Sequence, residues 1–453
     1  MSKKLSVRGK PAEFHGSVRL PPSKSYVHRA LFIASLGKDA SYITECGKEL
    51  ADDILATIEA LRAFGVKIDH SSEAHGTLSV VPGKTNHSKI SVFARGSGTT
   101  ARFAISFAAL ANEGTSVRIS GDDSLSRRPM QSIFESLSQL RVRCSFEKDK
   151  GKLPITIMGG GIEGGECWVD GSISSQFISS LLISCTRARN DCTIRIKDPT
   201  KLVSKPYIDA TLATLQYFGL DVKPISRYSG FKIRANQIVN GRKFSVPGDM
   251  STAAALIGAT LAASGSSLLL GVSQEFPQSD SAIIPIAKKL GASIVEKSKS
   301  LRISSRPKKI EKLSFDLNRS PDIAPVVAGL AAALGASVKI TNIGHLRFKE
   351  SDRISVLSRE LRKLGLDTKD SGSTLQILGK ISISRDFRKP IFIDPEKDHR
   401  MLMALAIAGL SGRYGEILIS DPDCVRKSYP TLVKDLQKLC HEKKTVKIVD
   451  VSR

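Results

Sequence analysis

The stretch Ala60-Leu61-Arg62-Ala63-Phe64-Gly65-Val66-Lys67-Ile68 joins a leucine-bearing helix end, a glycine and the start of an alternating strand. Glycine just past a helix can take the left-handed conformation that closes the last carbonyls, and the Val-Lys-Ile alternation then begins a strand with one apolar face. The pattern recurs as SLSQLRVRC (136–144), TLQYFGLDV (214–222), AKKLGASIV (287–295), ELRKLGLDT (360–368) and DLQKLCHEK (435–443). Successive copies lie 72 to 78 residues apart, and six of them fill the chain. One helix–glycine–strand junction is common to any α/β protein. Six at near-constant spacing predict an internal repeat. Arg141 and Cys440 stand at the glycine position in two copies, so those helix ends are expected to be capped in another way.

Each unit has room for two helices and several strands. AISFAALANEGTSVRISG (104–121), AAALIGATLAASGSSLLLG (253–271) and VVAGLAAALGASVKITN (326–342) share one form: a small-residue helix, a tight turn, then a strand. Helices apolar all round belong in an interior, so helices are expected inside and sheets outside. The uncharged run Met250–Gln274 is long enough to span a bilayer, but Ser264-Gly265-Ser266-Ser267 interrupts it. It is read instead as a buried helix, Ser251 to about Ala263, followed by a strand, Ser267 to Gly271.

The 453 residues are 41% hydrophobic and 25% charged, which is a globular composition with enough chain for several domains. Lys and Arg exceed Asp and Glu by 24, and the excess is spread: +7 in residues 1–150, +6 in 151–300 and +11 in 301–453. A spread excess fits anion sites or steering of acidic ligands better than a nucleic-acid arm. With aromatics at 6%, stacking platforms for single strands are poorly supplied. Seven cysteines without a C-x-x-C pair argue against a disulfide framework or a zinc site. Together with an N-terminus that lacks an apolar leader, they lead us to expect a cytoplasmic, membrane-free protein.

Several segments could carry chemistry. In Leu20-Pro-Pro-Ser-Lys-Ser-Tyr-Val-His-Arg29, a helix starting near Ser25 would bring free N–H groups, Lys24 and hydroxyls together as an anion site. A solvated lysine at a helix start would look the same. In Gly96-Ser-Gly-Thr-Thr-Ala-Arg102 the glycines permit close backbone approach, and Thr99 or Thr100 is expected to cap the next helix. Arg127-Arg128 before a proline-started helix suits a carboxylate or phosphate fork, or an exposed pair. Ser174-Ser175-Gln176 opens an apolar run, where one serine would suffice as a cap, and Ser204-Lys205-Pro206-Tyr207 is similar. Asp322 behind Pro321 is either a helix cap or a general base. In Arg347-Phe-Lys349-Glu350-Ser-Asp352-Arg353, Lys349 and Arg353 are read as i, i+4 on one helix face, which could equally be a surface charge ladder.

In this order, the segments PSKSxxxR, SGTTxR, SRRPM, SSQF, SKPYID, PGDMSTAA, FKESDR and DHRM resemble the enolpyruvyl transferases that act on shikimate 3-phosphate, over essentially the whole chain. The resemblance implies an α/β (α+β) fold: a two-domain inside-out α/β barrel of six βαβαββ units, three per domain. One domain would be 23–244, and the other 1–22 with 245–453. It implies transfer of the enolpyruvyl group of phosphoenolpyruvate to the 5-hydroxyl of shikimate 3-phosphate, with phosphate released by addition and elimination. No metal or organic cofactor is implied. The partners would be these two small molecules and no nucleic acid, with the chain acting as a monomer.

Carried over by motif, Asp322 is the expected base and Glu350 the expected acid, with Lys24 the rival acid. Lys24, Ser25, Arg29, Ser174, Ser175, Gln176, Ser204, Tyr207, Asp322, His345 and Lys349 would face shikimate 3-phosphate. Lys24, Gly98, Arg128, Gln176, Arg353, His399, Arg400 and Lys427 would face phosphoenolpyruvate, with His399 supporting Glu350. Two positions depart from the family pattern: Arg95-Gly96 stand where Gly-Asn is usual, and His345 stands for an asparagine, where pH could modulate its hydrogen bond. The sister family that acts on UDP-N-acetylglucosamine carries a loop cysteine near the Arg128 position, and this chain has none between Cys46 and Cys144. An RNA-binding protein on a related repeat fold would use the charge but leave Asp322, Glu350 and DHRM without a task.

Overall fold

Strand Lys89–Phe93 runs parallel to Ser116–Ser120, with Lys89 opposite Ser116 and Phe93 opposite Ser120. Ile155–Met158 pairs antiparallel with Ser116–Ser120, and Cys144–Phe146 completes the sheet. A parallel pair cannot be closed by a tight turn and needs a crossover. Helix Gly98–Ala108 supplies it, and helix Gln131–Gln139 leads into the hairpin. The computed structural model describes residues 2–9, 11–306, 310, 312–381, 389–442 and 444–451, and it contains six such four-stranded sheets.

The chain divides into two compact units, Pro22–Pro247 and Met1–Pro21 with Gly248–Arg453, each holding three of the sheets. Strand pairing explains the discontinuity. Ser2–Arg8 lies between Glu416–Ser420 and Val446–Val451, and Ser17–Arg19 runs parallel to Ser266–Leu270, so the N-terminal segment completes two sheets of the later unit. Lys243–Ser245 completes the first sheet of the Pro22–Pro247 unit by pairing in parallel with Ser41–Thr44.

Each unit places helices inside and sheets outside. Helices Lys24–Ser35, Gly98–Ala108 and Gln176–Ser184 are buried almost all round, while the strand Lys89–Phe93 alternates exposed and buried residues. In the other unit Met250–Ala262, Ala324–Leu334 and His399–Leu410 pack against one another. Small residues allow this approach: a Cβ on Gly329 would sit inside the backbone of Ala404. The second helix of each repeat is two-sided. Arg353–Lys363 buries Ile354, Leu357 and Leu361 and exposes Arg359 and Arg362, and each such buried side chain contributes about 1.5–3 kcal/mol. The uncharged run is helix Met250–Ala262 and strand Ser266–Leu270; among the described residues no helix is long and apolar enough to cross a membrane.

The repeat junctions hold one surprise. Gly65, Gly219, Gly291 and Gly365 take φ of +95°, +82°, +96° and +86°, and the Val66 N–H closes on the Leu61 carbonyl at 3.2 Å. The Arg141 end is not capped differently. Arg141 takes the same left-handed turn at φ +62°, and the Val142 N–H reaches the Leu137 carbonyl at 3.0 Å. In the last copy Cys440 is the final helical residue, and His441 supplies the turn at φ +52°. Strand pairing after the turn holds a geometry that costs an L-residue about 1–2 kcal/mol.

Candidate active site

In the Pro22–Pro247 unit, extended Pro21-Pro22 delivers the chain to a helix whose first residue is Lys24. Lys24 Nζ pairs with Asp53 Oδ2 at 2.6 Å, and both side chains are mostly buried. Arg29 follows on the same helix. Its Nη1 donates to the Ser25 carbonyl at 2.7 Å, Nη2 to the Tyr207 carbonyl at 2.8 Å and Nε to Thr211 Oγ1 at 2.8 Å. Burial lowers Arg29 to about 10, against the pull of Tyr26 and Tyr207. Arg29 thus ties the half-buried Ser25 to the start of helix Pro206–Tyr217, beside buried Ser204 with its left-handed φ of +54°.

The glycine loop is capped by Ser97, whose Oγ accepts the Thr100 N–H; neither Thr99 nor Thr100 is the cap, because the helix starts at Gly98. Thr99 Oγ1 accepts from Gln176 Nε2 at 2.9 Å, and Gln176 Oε1 accepts from Arg102 Nη1 at 2.6 Å. A Cβ on Gly98 would stand 3.0 Å from Nη1 of both Arg102 and Arg128, so this glycine leaves room for two guanidinium groups. Arg128 is buried and donates to Ser124 Oγ at 3.2 Å. Its proline does not start a helix: Arg127 closes the short helix Asp123–Ser126, and the next helix begins at Gln131. Ser175 precedes helix Gln176–Ser184, and Ser174 Oγ accepts the Gln176 N–H at 3.3 Å.

In the other unit a single guanidinium organises three carboxylates. Arg353 Nε donates to Asp398 Oδ2 at 2.8 Å, Nη2 to Glu350 Oε2 at 2.8 Å and Nη1 to Asp322 Oδ1 at 3.2 Å. Arg400 Nη2 donates to Asp322 Oδ2 at 3.1 Å and to Ser251 Oγ at 2.9 Å. Lys427 Nζ lies 3.5 Å from Glu350 Oε1. Asp322 sits in the turn Pro321–Ile323 before helix Ala324–Leu334 and makes no cap; its oxygens go to the guanidinium groups. Burial alone would raise its carboxyl, but Arg400, Lys349 and Arg353 outweigh that and hold it well below the usual carboxylate range. Burial would lower Arg353, and Asp398, Glu350 and Asp322 reverse this.

Lys349 is not on a helix face with Arg353. It is extended after the turn Gly344–Phe348, and Asp352 starts the helix at Arg353 by accepting the Ser355 N–H. His345 is buried, and burial, with Lys349 next, lowers it to about 3. Burial thus favours the neutral imidazole, which runs against the pH modulation expected of its hydrogen bond. His399 opens helix His399–Leu410, with Nδ1 3.7 Å from Asp398 Oδ1. At the departure Arg95-Gly96, Arg95 takes a left-handed φ of +50° and its side chain reaches Glu59.

Asp53, Arg102, Ser251 and Asp398 were not among the expected site residues, yet each holds one that was. Arg102 and Asp398 stood inside the quoted motifs SGTTxR and DHRM. Asp53 offered no signal of its own: helix Asp52–Ala63 also carries Asp52, Glu59 and Arg62, and its partner Lys24 is 29 residues away.

Comparison with known proteins adds a lineage to this geometry. The family model for EPSP synthase (3-phosphoshikimate 1-carboxyvinyltransferase) matches residues 9–436. A 3-phosphoshikimate 1-carboxyvinyltransferase of Nitrosopumilus maritimus is 35% identical over 94% of this chain and 97% of its own. One from Methanocella arvoryzae is 37% identical over 94% and 96%. The EPSP synthase structure from Acinetobacter baumannii superposes with a TM-score of 0.77 at 24% identity, covering 99% of this chain and 100% of that one. The enolpyruvyl transferase NikO from Streptomyces tendae shares the fold at 15% identity, with a TM-score of 0.76 over 100% of both chains. The repeated inside-out α/β architecture, the ordered motifs and these relatives agree: the chain belongs to the EPSP synthase family of carboxyvinyl transferases.

Proposed function

We propose that this chain moves the enolpyruvyl group of phosphoenolpyruvate onto the 5-hydroxyl of shikimate 3-phosphate and releases phosphate. The observation that carries the reading is Asp322 held between Arg353 and Arg400, with Glu350 on the same Arg353 guanidinium. Asp322 takes the hydroxyl proton as that oxygen bonds to the central carbon of phosphoenolpyruvate. Glu350 gives a proton to the terminal methylene, making a methyl group; Lys24 is the alternative donor. Phosphate then leaves with the C–O bonding pair while the methyl group returns a proton, restoring the double bond.

A carboxylate held far below its usual range is a weak base, so its basicity must recover on binding. An anion that draws Arg353 and Arg400 toward itself removes charge from Asp322 and raises its proton affinity. Arg353, Arg400 and Lys427, with Gly98, Arg128, Gln176, Lys24 and His399, are assigned to phosphoenolpyruvate. Lys24, Ser25, Arg29, Ser174, Ser175, Gln176, Ser204, Tyr207, His345 and Lys349 are assigned to shikimate 3-phosphate. Fixed cations suit this chemistry because two polyanions must be brought together before any bond forms. The reading includes a monomeric cytoplasmic enzyme, and the spread of the basic excess along the chain supports the absence of a nucleic-acid partner.

The test is phosphate release that requires both substrates together. Release with UDP-N-acetylglucosamine in place of shikimate 3-phosphate, and none with the proposed pair, would reverse the assignment.

A further inference from the structure

A buried line of side chains runs from the lysine-bearing helix to the glycine loop, and none of its members is among the residues assigned to the two ligands. His28 stands one turn after Lys24, and Thr57 one turn after Asp53, on the two neighbouring helices Lys24–Ser35 and Asp52–Ala63. The Lys24–Asp53 pair at 2.6 Å and the His28 Nδ1–Thr57 Oγ1 bond at 2.7 Å are therefore successive rungs between the same helices. Thr57 Oγ1 continues to Thr100 Oγ1 at 2.7 Å, and Thr100 Oγ1 donates to Ser97 Oγ at 2.7 Å. All four residues, His28, Thr57, Thr100 and Ser97, are fully buried.

Proton counting gives the chain a direction. A hydroxyl has one proton to donate. Thr100 has two acceptors for its one proton, Ser97 Oγ at 2.7 Å and the Asp53 carbonyl at 3.4 Å, and with that proton turned to either, Thr57 donates to Thr100 and His28 Nδ1 carries the hydrogen that Thr57 accepts. Nε2 is then a bare acceptor, and it has no hydrogen-bond partner among the described residues. Burial lowers this imidazole to about 3, so it enters the chain neutral.

The far end of the line is Ser97, which sits between two glycines that cannot hold a shape by themselves. Its Oγ takes both the Thr100 hydroxyl and the Thr100 N–H. Next to it, Gly98 packs against the guanidinium groups of Arg102 and Arg128. Where Ser97 is pinned decides where that backbone stands.

We propose that the buried chain His28–Thr57–Thr100–Ser97 is a positioning device that fixes the phosphoenolpyruvate-side glycine loop to the lysine-bearing helix. The identity of the ligand rests on the function proposed above; the device itself rests on the geometry of one unit. His28 and Thr57 are positioning residues that act through Ser97 and touch no substrate.

The experiment compares the full-length wild-type chain with Thr57→Val and Thr57→Ser, by steady-state phosphate release with each substrate varied and by thermal melting. Thr57→Val keeps the shape and deletes the hydroxyl. It is expected to raise KM for phosphoenolpyruvate about tenfold, the scale of one severed buried hydrogen bond. KM for shikimate 3-phosphate should move by less than about twofold, and Thr57→Ser should restore the first KM. A purely structural role would lower the melting temperature or the active fraction without separating the two constants. Unchanged constants, or both rising together, would overturn the proposal. Should Thr57→Val not fold, Ser97→Ala cuts the line at its loop end and must give the same split. A wild-type chain that releases no phosphate from this pair removes the proposed function and this inference with it; an active wild type with an insensitive Thr57→Val removes only the inference.

Discussion

Arg353 Nε donates to Asp398 Oδ2 at 2.8 Å, with both side chains withdrawn from solvent. Mutual attraction between two buried ions roughly offsets the cost of burying them, but deleting one strands the other. Asp398 has a second task, accepting the Arg400 N–H at 2.9 Å as the cap of helix His399–Leu410. Asp398→Ala is therefore expected to lose about 3–5 kcal/mol through the stranded arginine, with roughly 1 kcal/mol more from the cap. Urea unfolding reads this directly. A loss below about 1 kcal/mol would show that Arg353 is adequately held by Glu350 and Asp322.

Asp322 is expected to matter to rate far more than to binding. Asp322→Ala should lower kcat at least about 100-fold, the scale of a lost general base. Its ionisation also has a defined pH signature. Its folded-state proton affinity lies below that of an ordinary aspartate, near 3.9 when unfolded. The stability it contributes is thus complete above about pH 4 and lost only as the pH falls further. A kcat within a few-fold of wild type, measured with both substrates saturating, would take Asp322 out of the proton transfer.

How much of this was legible beforehand differs between the repeat and the site. The helix–glycine–strand pattern exposed the six units because most of the junctions need a left-handed residue and glycine marks it. Arg141 was expected to need another cap, and His441 was not singled out, because strand pairing can impose the same left-handed turn on residues other than glycine. Arg353 was marked by FKESDR, but its partner Asp398 lies 45 residues away and only the fold brings them together. Lys349 was misplaced for a related reason. Spacing of four implies a shared face only inside a helix, and Asp352 starts the helix after Lys349. The cap of the glycine loop fell to Ser97 because the first helical residue is a glycine that leaves the hydroxyl before it in range.

Two buried histidines predict a loss of stability on mild acidification. His28 and His345 are each lowered by burial from about 6.5 to about 3. Between those values the unfolded chain binds protons that the folded chain does not, so stability is full above about pH 6.5 and falls as the pH drops toward 3. Each histidine adds at most about 1.4 kcal/mol per pH unit to the slope. His28→Asn and His345→Gln should each flatten the dependence of the urea midpoint on pH between about 4.5 and 6. A slope unchanged in both variants would mean that other groups carry the acid sensitivity.

Arg95 tests whether its unusual backbone is tolerated for its side chain or enforced by the fold. Its φ of +50° costs an L-residue about 1–2 kcal/mol. The pair with Glu59 joins side chains that are 38% and 50% exposed, so it returns at most about 1 kcal/mol. The backbone is held independently, because the Arg95 carbonyl accepts the Asp122 N–H at 2.8 Å. Arg95→Gly relieves the strain, forfeits the ion pair and adds freedom to the unfolded chain, so these effects should cancel to within about 1 kcal/mol. Arg95→Val loses the pair and keeps a β-branched residue in the strained region. It should be less stable than Arg95→Gly by at least about 1 kcal/mol in urea unfolding. Equal stability of the two variants would mean that the loop relaxes to negative φ once the arginine is gone, and that the Asp122 bond does not enforce the turn.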